Sequence, residues 1–212
     1  MIRGIDLSHF NDGVNIATLP KDIAFVSLKA TQGTTMHDAL FQKFYHDLKT
    51  FRPEIVRIPY HFIDWAVDGV TQAKNILSRG IDFTGTGCGP IMIDLEGDGD
   101  KGVYVSKNKV ACIQRVNDCI AYMRANCGRH EIIIYSYNNF IKNNLGGHIW
   151  PDCIYWVASY QTNPPPVNSA WPYKFWQYSQ FGQINGSVSG GNQDLDRFFG
   201  TQQELNKLAN IV

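Results

Sequence analysis

The chain has 212 residues, 44% of them hydrophobic and 13% aromatic, and its 19 Lys and Arg balance 19 Asp and Glu to a formal net charge of zero. That balance leaves no basic face or stripe, so no nucleic-acid partner is expected. No stretch approaches the roughly 18 apolar residues of a membrane span, so no membrane partner is expected either.

In chain order, Ile2–Asp6 and Ala24–Lys29 read as buried strands, and residues 38–51 carry apolar side chains at helical spacing (Leu40, Phe41, Phe44, Tyr45, Leu48). Residues 55–62 are the next strand and residues 70–77 the next helix. A short apolar strand comes next over residues 91–95. Residues 106–126 form the longest helix, with Ser106 as its N-cap and Gly128 as its stop. Residues 131–135 and 155–158 are strands. After Asn163-Pro164-Pro165-Pro166 the pattern changes: residues 174–178 and 193–198 read as strands with no long helix between them, and residues 201–209 close the chain as a helix. The proline run reads as a surface loop, because the chain beyond it is too short to bury a core of its own.

Repeated strand–helix units imply parallel strands with right-handed crossovers. About eight strands in this length is short for a complete eightfold barrel. The expected fold is α/β, an irregular TIM-like β/α barrel with about eight strands and fewer helices, with residues 1–212 as a single domain. The five cysteines (Cys88, Cys112, Cys119, Cys127, Cys153) are odd in number and widely spaced. Those that share the long helix lie roughly 10 Å or more apart along it, too far to bridge, so all five are expected as buried thiols.

The run Pro90-Ile91-Met92-Ile93-Asp94-Leu95-Glu96-Gly97 ends an apolar strand in two carboxylates spaced i, i+2. Side chains on a strand alternate faces, so Asp94 and Glu96 point the same way. Two like charges that close cannot both ionise freely, and one becomes a proton donor near neutral pH. A proton donor beside a carboxylate is the apparatus for cutting a glycosidic bond. Residues at the C-terminal ends of barrel strands reach the active face. Asp6 ends the first strand, and Asp194 and Asp196 lie in the last, so these acids are expected to converge on one mouth. Aromatic residues fall at similar places: Tyr60 and Phe62, Tyr135 and Tyr137, Trp156 and Tyr160, Trp176 and Tyr178. Sugar rings stack on aromatic faces, so some of these are expected to line a groove for a polysaccharide, and the others to be core.

These residues resemble the glycoside hydrolase family 25 lysozymes, the Chalaropsis-type muramidases, over essentially the whole chain. Seven motifs in order carry the resemblance: Gly4-Ile5-Asp6-Leu7-Ser8; Phe25 through Gly33; Pro59-Tyr60-His61-Phe62; Ile93-Asp94-Leu95-Glu96; Tyr155 through Tyr160; Trp176-Gln177-Tyr178-Ser179; and Asp194 through Gly200. The resemblance implies hydrolysis of the β-1,4 bond between N-acetylmuramic acid and N-acetylglucosamine in bacterial peptidoglycan. It implies Glu96 as general acid, Asp94 orienting the 2-acetamido group or stabilising charge at the anomeric carbon, and Asp6 and Asp194 completing the acidic cluster. Tyr60, Phe62, Tyr135, Trp156, Tyr160 and Gln177 are then the substrate-binding residues. The partner is the peptidoglycan glycan strand, the chain is expected to act as a monomer, and no cofactor or metal is implied. No signal peptide is visible at Met1-Ile2-Arg3, which fits release or delivery from the cytoplasm in the manner of a phage endolysin or an effector.

The chain departs from the family pattern at Gln32, where Glu is common, at Asp196, where Asn is usual, and at Asn11 and Asn15. None removes an expected catalytic acid. Competing readings find less support. Asp94-x-Glu96-x-Asp98-Gly99 superficially resembles an EF-hand loop, but its twelfth position is Val105 rather than Glu. The six histidines form no HExxH pattern, and no GxSxG is present. Asn185-Gly186-Ser187 matches a glycosylation triplet without other evidence of secretion. A non-catalytic glycan-binding protein on the same scaffold, or a chitinase-like glycosidase using the same acid pair, are the alternatives.

Overall fold

The computed structural model describes residues 1–97, 108–184 and 192–211. Asp98, Gly99, Val105, Ser106 and the Asn185–Ser187 triplet lie outside these residues. In chain order the elements are β1 (Ile2–Leu7), β2 (Ile23–Gln32), β3 (Met36–His37), α1 (Phe41–Phe51), β4 (Val56–Phe62), α2 (Gly69–Leu77), β5 (Met92–Asp94), α3 (Lys109–Asn126), β6 (Ile133–Ser136), α4 (Asn138–Asn144), β7 (Ile154–Ala158), β8 (Tyr173–Gly182), β9 (Gln193–Phe198) and α5 (Gln202–Lys207).

The sheet runs β1-β9-β8-β7-β6-β5-β4-β2 and closes by pairing β1 with β2, so eight strands form a barrel, and β3 extends β2 at one edge. With five α-helices among the described residues, the expected irregular α/β barrel is present. Its strands are not all parallel, however. β9 is antiparallel to both neighbours, β8 and β1. No helix lies between β8 and β9 among the described residues, so the chain turns back at the same end of the barrel instead of crossing over.

Strand alternation sorts side chains into an interior and an outer layer. Inside the barrel Phe25, Ile58, Ile133, Trp156, Phe175 and Phe198 pack together, and Leu205 and Ala209 at the end of the chain plug its lower end. Trp156 stacks on Phe175 with ring centroids 4.5 Å apart, and Phe25 meets both edge-on. Gly4 on β1 makes room for this: a Cβ there would lie 2.2 Å from the Phe25 ring. Outside, α2, α3 and α4 cover β4 to β7 through Ile76, Val116, Met123 and Phe140. α1 packs Phe41, Phe44 and Leu48 on the outer faces of β1 and β2.

Helix α3 begins at Lys109, and its N-cap is Asn108, whose side chain accepts from the Ala111 N–H. The cap expected at Ser106 is thus replaced by a residue with the same capping chemistry. Gly128 lies just past the helix with φ +70°, the left-handed stop expected of it. Helix α4 has no counterpart in the sequence reading, because a seven-residue segment with four asparagines has weak helical propensity. The proline run is a loop between β7 and β8. Tyr173 Oη donates to the Pro165 carbonyl (2.7 Å), and Trp171 stacks on Tyr155 at 4.1 Å, so this stretch is packed onto the barrel wall. All five cysteines are free and buried. Among the described residues no helix is long and apolar enough to cross a membrane.

Candidate active site

Seven parallel strands direct their C-terminal ends to one mouth, and antiparallel β9 brings its first residues there instead. Asp94 is the last residue of β5 and is 5% exposed, and Glu96 comes two residues later, half-buried. Neighbouring elements pin this strand end from both sides. The Ile63 N–H donates to the Asp94 carbonyl (3.1 Å), the Leu95 N–H to the Tyr135 carbonyl (2.8 Å), and Ser136 Oγ to the Leu95 carbonyl (2.6 Å). The indole N–H of fully buried Trp65 donates to the Glu96 carbonyl (2.9 Å). Such bonds fix where the two carboxyl groups point without consuming them.

The other two acids meet across the β1–β9 ladder, where Asp6 stands directly opposite Asp194. Their carboxyl groups act on each other, Asp194 raising the Asp6 carboxyl and Asp6 lowering that of Asp194. Gln177 on β8 orders this side of the site. Its Nε2 donates to Asp6 Oδ2 (2.7 Å), while its Oε1 accepts from Tyr135 Oη (2.7 Å) and Tyr160 Oη (2.8 Å). Those two accepted bonds leave the amide only one orientation, with its donor toward Asp6.

Asp6, Asp94, Glu96 and Asp194, with Tyr60, Tyr135 and Gln177, line a pit of about 50 Å³. Burial, then Asp194 and Asp196, hold the Asp6 carboxyl well above the usual range, and Gln177 pulls the other way. Burial and then Glu96 hold Asp94 well above it, against the opposing pull of the Lys29 ammonium. Burial raises Asp194, and the bond from Asp6 opposes that rise. Burial and the surrounding carboxylates push the Tyr60 and Tyr135 hydroxyls up as well, so both remain donors. The pit therefore resists full ionisation, as a cluster of acids in a poorly solvated space must.

The pit opens between two larger cavities. One of about 550 Å³ is lined by Tyr135, Tyr137, Asn138, Asn139 and Tyr160, and Glu96 forms its inner edge. The other, about 700 Å³, is lined by His9, Phe10, Lys29, Gln32 and Phe62, and shares Asp94 and Glu96 with the pit. Lys29 Nζ donates to Gln32 Oε1 (2.9 Å) and lies 4.9 Å from the centre of the Phe62 ring. The His9 ring is held by buried Asp38, at 2.7 Å, beside a Phe10 ring that is 81% exposed. The three spaces share Glu96, so the acids of the small pit lie between two larger cavities.

Of the residues expected from the sequence, Glu96, Asp94, Asp6, Asp194, Tyr60, Tyr135 and Gln177 meet in the pit, while Phe62 and Tyr160 stand on the flanking walls. Trp156 does not line the groove. It faces inward on β7 but one layer deeper, fully buried against Phe175 and Phe25. Alternation gives a side chain's face but not its depth along the barrel axis. Asp196 is likewise inside the barrel below the mouth, with no exposure. Trp176 points outward and donates to the Ser159 carbonyl. Lys29, His9, Phe10, Asn138 and Asn139 are additional groove residues. Only Lys29 carries a readable signal, as a charge at an inward position of an apolar strand.

A family model described as Glycosyl hydrolases family 25 matches residues 5–187. The bacterial lysozyme from Streptomyces coelicolor has a similar structure, with 28% identity, a TM-score of 0.86, and coverage of 100% of this chain and 98% of that one. An N,O-diacetylmuramidase of Arthroderma benhamiae is 28% identical over 93% of this chain and 86% of its own length. The N,O-diacetylmuramidase of a Chalaropsis species is 24% identical over 92% and 98%. With the family matched along most of its length, the chain belongs to glycosyl hydrolases family 25 and is a glycoside hydrolase.

Proposed function

We propose that the protein is an N-acetylmuramidase that hydrolyses the β-1,4 bond between N-acetylmuramic acid and N-acetylglucosamine within peptidoglycan strands. The observation that carries this reading is the position of Asp94 and Glu96 in a small acidic pit between two larger cavities, which suits cleavage inside a polymer. Glu96 is the general acid that protonates the departing glycosidic oxygen. It is the acid shared by the pit and both flanking cavities, where a sugar on either side of the scissile bond would reach it. Asp94, two residues away on the same face, orients the 2-acetamido group of the sugar in the pit or stabilises positive charge at its anomeric carbon. Asp6 and Asp194 stand opposite each other across the β1–β9 ladder and complete the acidic cluster, and Gln177 fixes Asp6. Tyr60 and Tyr135 donate hydrogen bonds within the pit, and the flanking walls with Phe62 and Tyr160 bind neighbouring sugars. The chain acts as one catalytic domain, as a monomer, on the cell wall, without cofactor, nucleic acid or membrane.

The test is digestion of peptidoglycan by the wild type and by Glu96→Gln, with mass spectrometry of the reduced products. Fragments ending in reduced N-acetylmuramic acid, made by the wild type alone, support the proposal. Fragments ending in N-acetylglucosamine would instead make it a different glycosidase. Glycan binding without products would make it a binding protein.

A further inference from the structure

The mechanism uses four acids and leaves a fifth, Asp196, unaccounted for. Its side chain has no exposure, and neither carboxyl oxygen has a hydrogen-bond partner. The indole N–H of Trp156 on β7, also without a hydrogen-bond partner, is close enough to favour the charged form of Asp196 somewhat. Asp196 shares the inward face of β9 with Asp194, two residues above it. Across the ladders it stands opposite Gly4 on β1 and Gln177 on β8. Gly4 is two residues from Asp6, and Gln177 holds Asp6 directly. Asp196 is therefore the floor on which the Asp6–Asp194 pair rests.

The groups facing it carry no compensating charge. Among the described residues, its own strand offers Asp194 and β1 offers Asp6, both acidic. From β8 and β7 come Gln177 and Trp156, both uncharged, and Phe25 of β2 fills the space over Gly4. A carboxylate with neither cation nor hydrogen bond in a dry interior is so unfavourable that the group keeps its proton instead. We propose that Asp196 is a positioning residue, a proton-bearing carboxyl built into the barrel floor, which keeps the space beneath Asp6 and Asp194 uncharged. Burial first, and Asp194 second, oppose its ionisation, and the Trp156 indole offsets them only in part.

The sign of the consequence is fixed. The unfolded chain loses this proton near the ordinary aspartate value of 3.8, while the folded chain retains it. Stability from this group is present below that value and is lost as pH rises. Asp196→Asn is close in shape and neutral at every pH. Wild type and variant should melt together near pH ~4, and the variant should melt about 2–4 °C or more above wild type near pH ~7. A melting difference that is the same at both pH values would reduce Asp196 to a structural role and overturn the proposal. In wild type, the 13Cγ shift of Asp196 should stay at its protonated value near pH ~7. An ionised value would overturn the proposal even if the variant failed to fold. The bearing on catalysis rests on the hydrolase reading above. The pH limbs of kcat/KM should coincide in wild type and Asp196→Asn, because one neutral group replaces another. Limbs displaced downward by about one pH unit would mean that Asp196 is charged in the working enzyme. Melting and carbon shift need no substrate, so a mistaken substrate and a mistaken Asp196 are told apart.

Discussion

The site contains two pairs of acids built in opposite ways. Asp94 and Glu96 belong to one strand end, and their closeness is a property of three consecutive residues. Asp6 and Asp194 come from the two ends of the chain and meet only because β9 runs antiparallel to β1. The first pair is positioned by hydrogen bonds to its own backbone, from Ile63 and Trp65. The second is positioned through a side chain, Gln177, which in turn depends on two tyrosines. A local pair survives distant changes in packing. An assembled pair registers every change in the closure of the barrel.

That contrast can be tested in order of expected effect. Glu96→Gln should lower kcat on peptidoglycan by at least about 100-fold, because a positioned acid is lost, with little change in melting temperature. Retained turnover in a clearing assay would break the assignment of the local pair. Asp94→Asn should also be severely impaired, and it should flatten the pH dependence of stability. Folded Asp94 holds its proton above the ordinary 3.8, so wild-type stability is full below that value and declines as pH rises, whereas the Asn variant lacks this decline. Melting curves from about pH 4 to pH 8 would show whether the slope differs.

For the assembled pair, Gln177→Leu should cost about 1–3 kcal/mol in stability by stranding Asp6 and two tyrosine hydroxyls, and should lower kcat more than it raises KM. An unchanged kcat would mean that the amide does not order the pair. Tyr160→Phe should be the mildest, a loss of about 0.5–1.5 kcal/mol or less, since Tyr160 is about half exposed and Tyr135 still bonds the same oxygen.

The two pairs also differ in how legible they are. Asp94-Leu95-Glu96 declares itself through spacing, and the strand boundaries around it are readable from apolar runs. That Asp6 finds Asp194 is expected from strand order, but for an all-parallel barrel. The antiparallel return is not readable, because a strand after a loop has no signature of direction. Gln177 carries no chemistry in the sequence beyond its family motif, since its role exists only through Tyr135, Tyr160 and Asp6. Trp156 is expected in the groove because its face is legible and its depth is not. Asn138 and Asn139 escape the sequence reading along with helix α4, whose asparagines favour turns as readily as a helix.

The closure of the barrel by β9 has a consequence for how the molecule comes into being. Synthesis delivers Asp6 first, Asp94 and Glu96 later and Asp194 only with β9, so a nascent chain short of β9 holds three of these four acids while the ladder from β1 still has a free edge. β1 pairs with the distant β9 as well as with β2, and such long-range pairing is formed late and slowly. The groove is therefore finished only when β1 has been joined to β9, and a ribosome-bound chain ending before β9 would carry Asp6, Asp94 and Glu96 without Asp194 opposite Asp6.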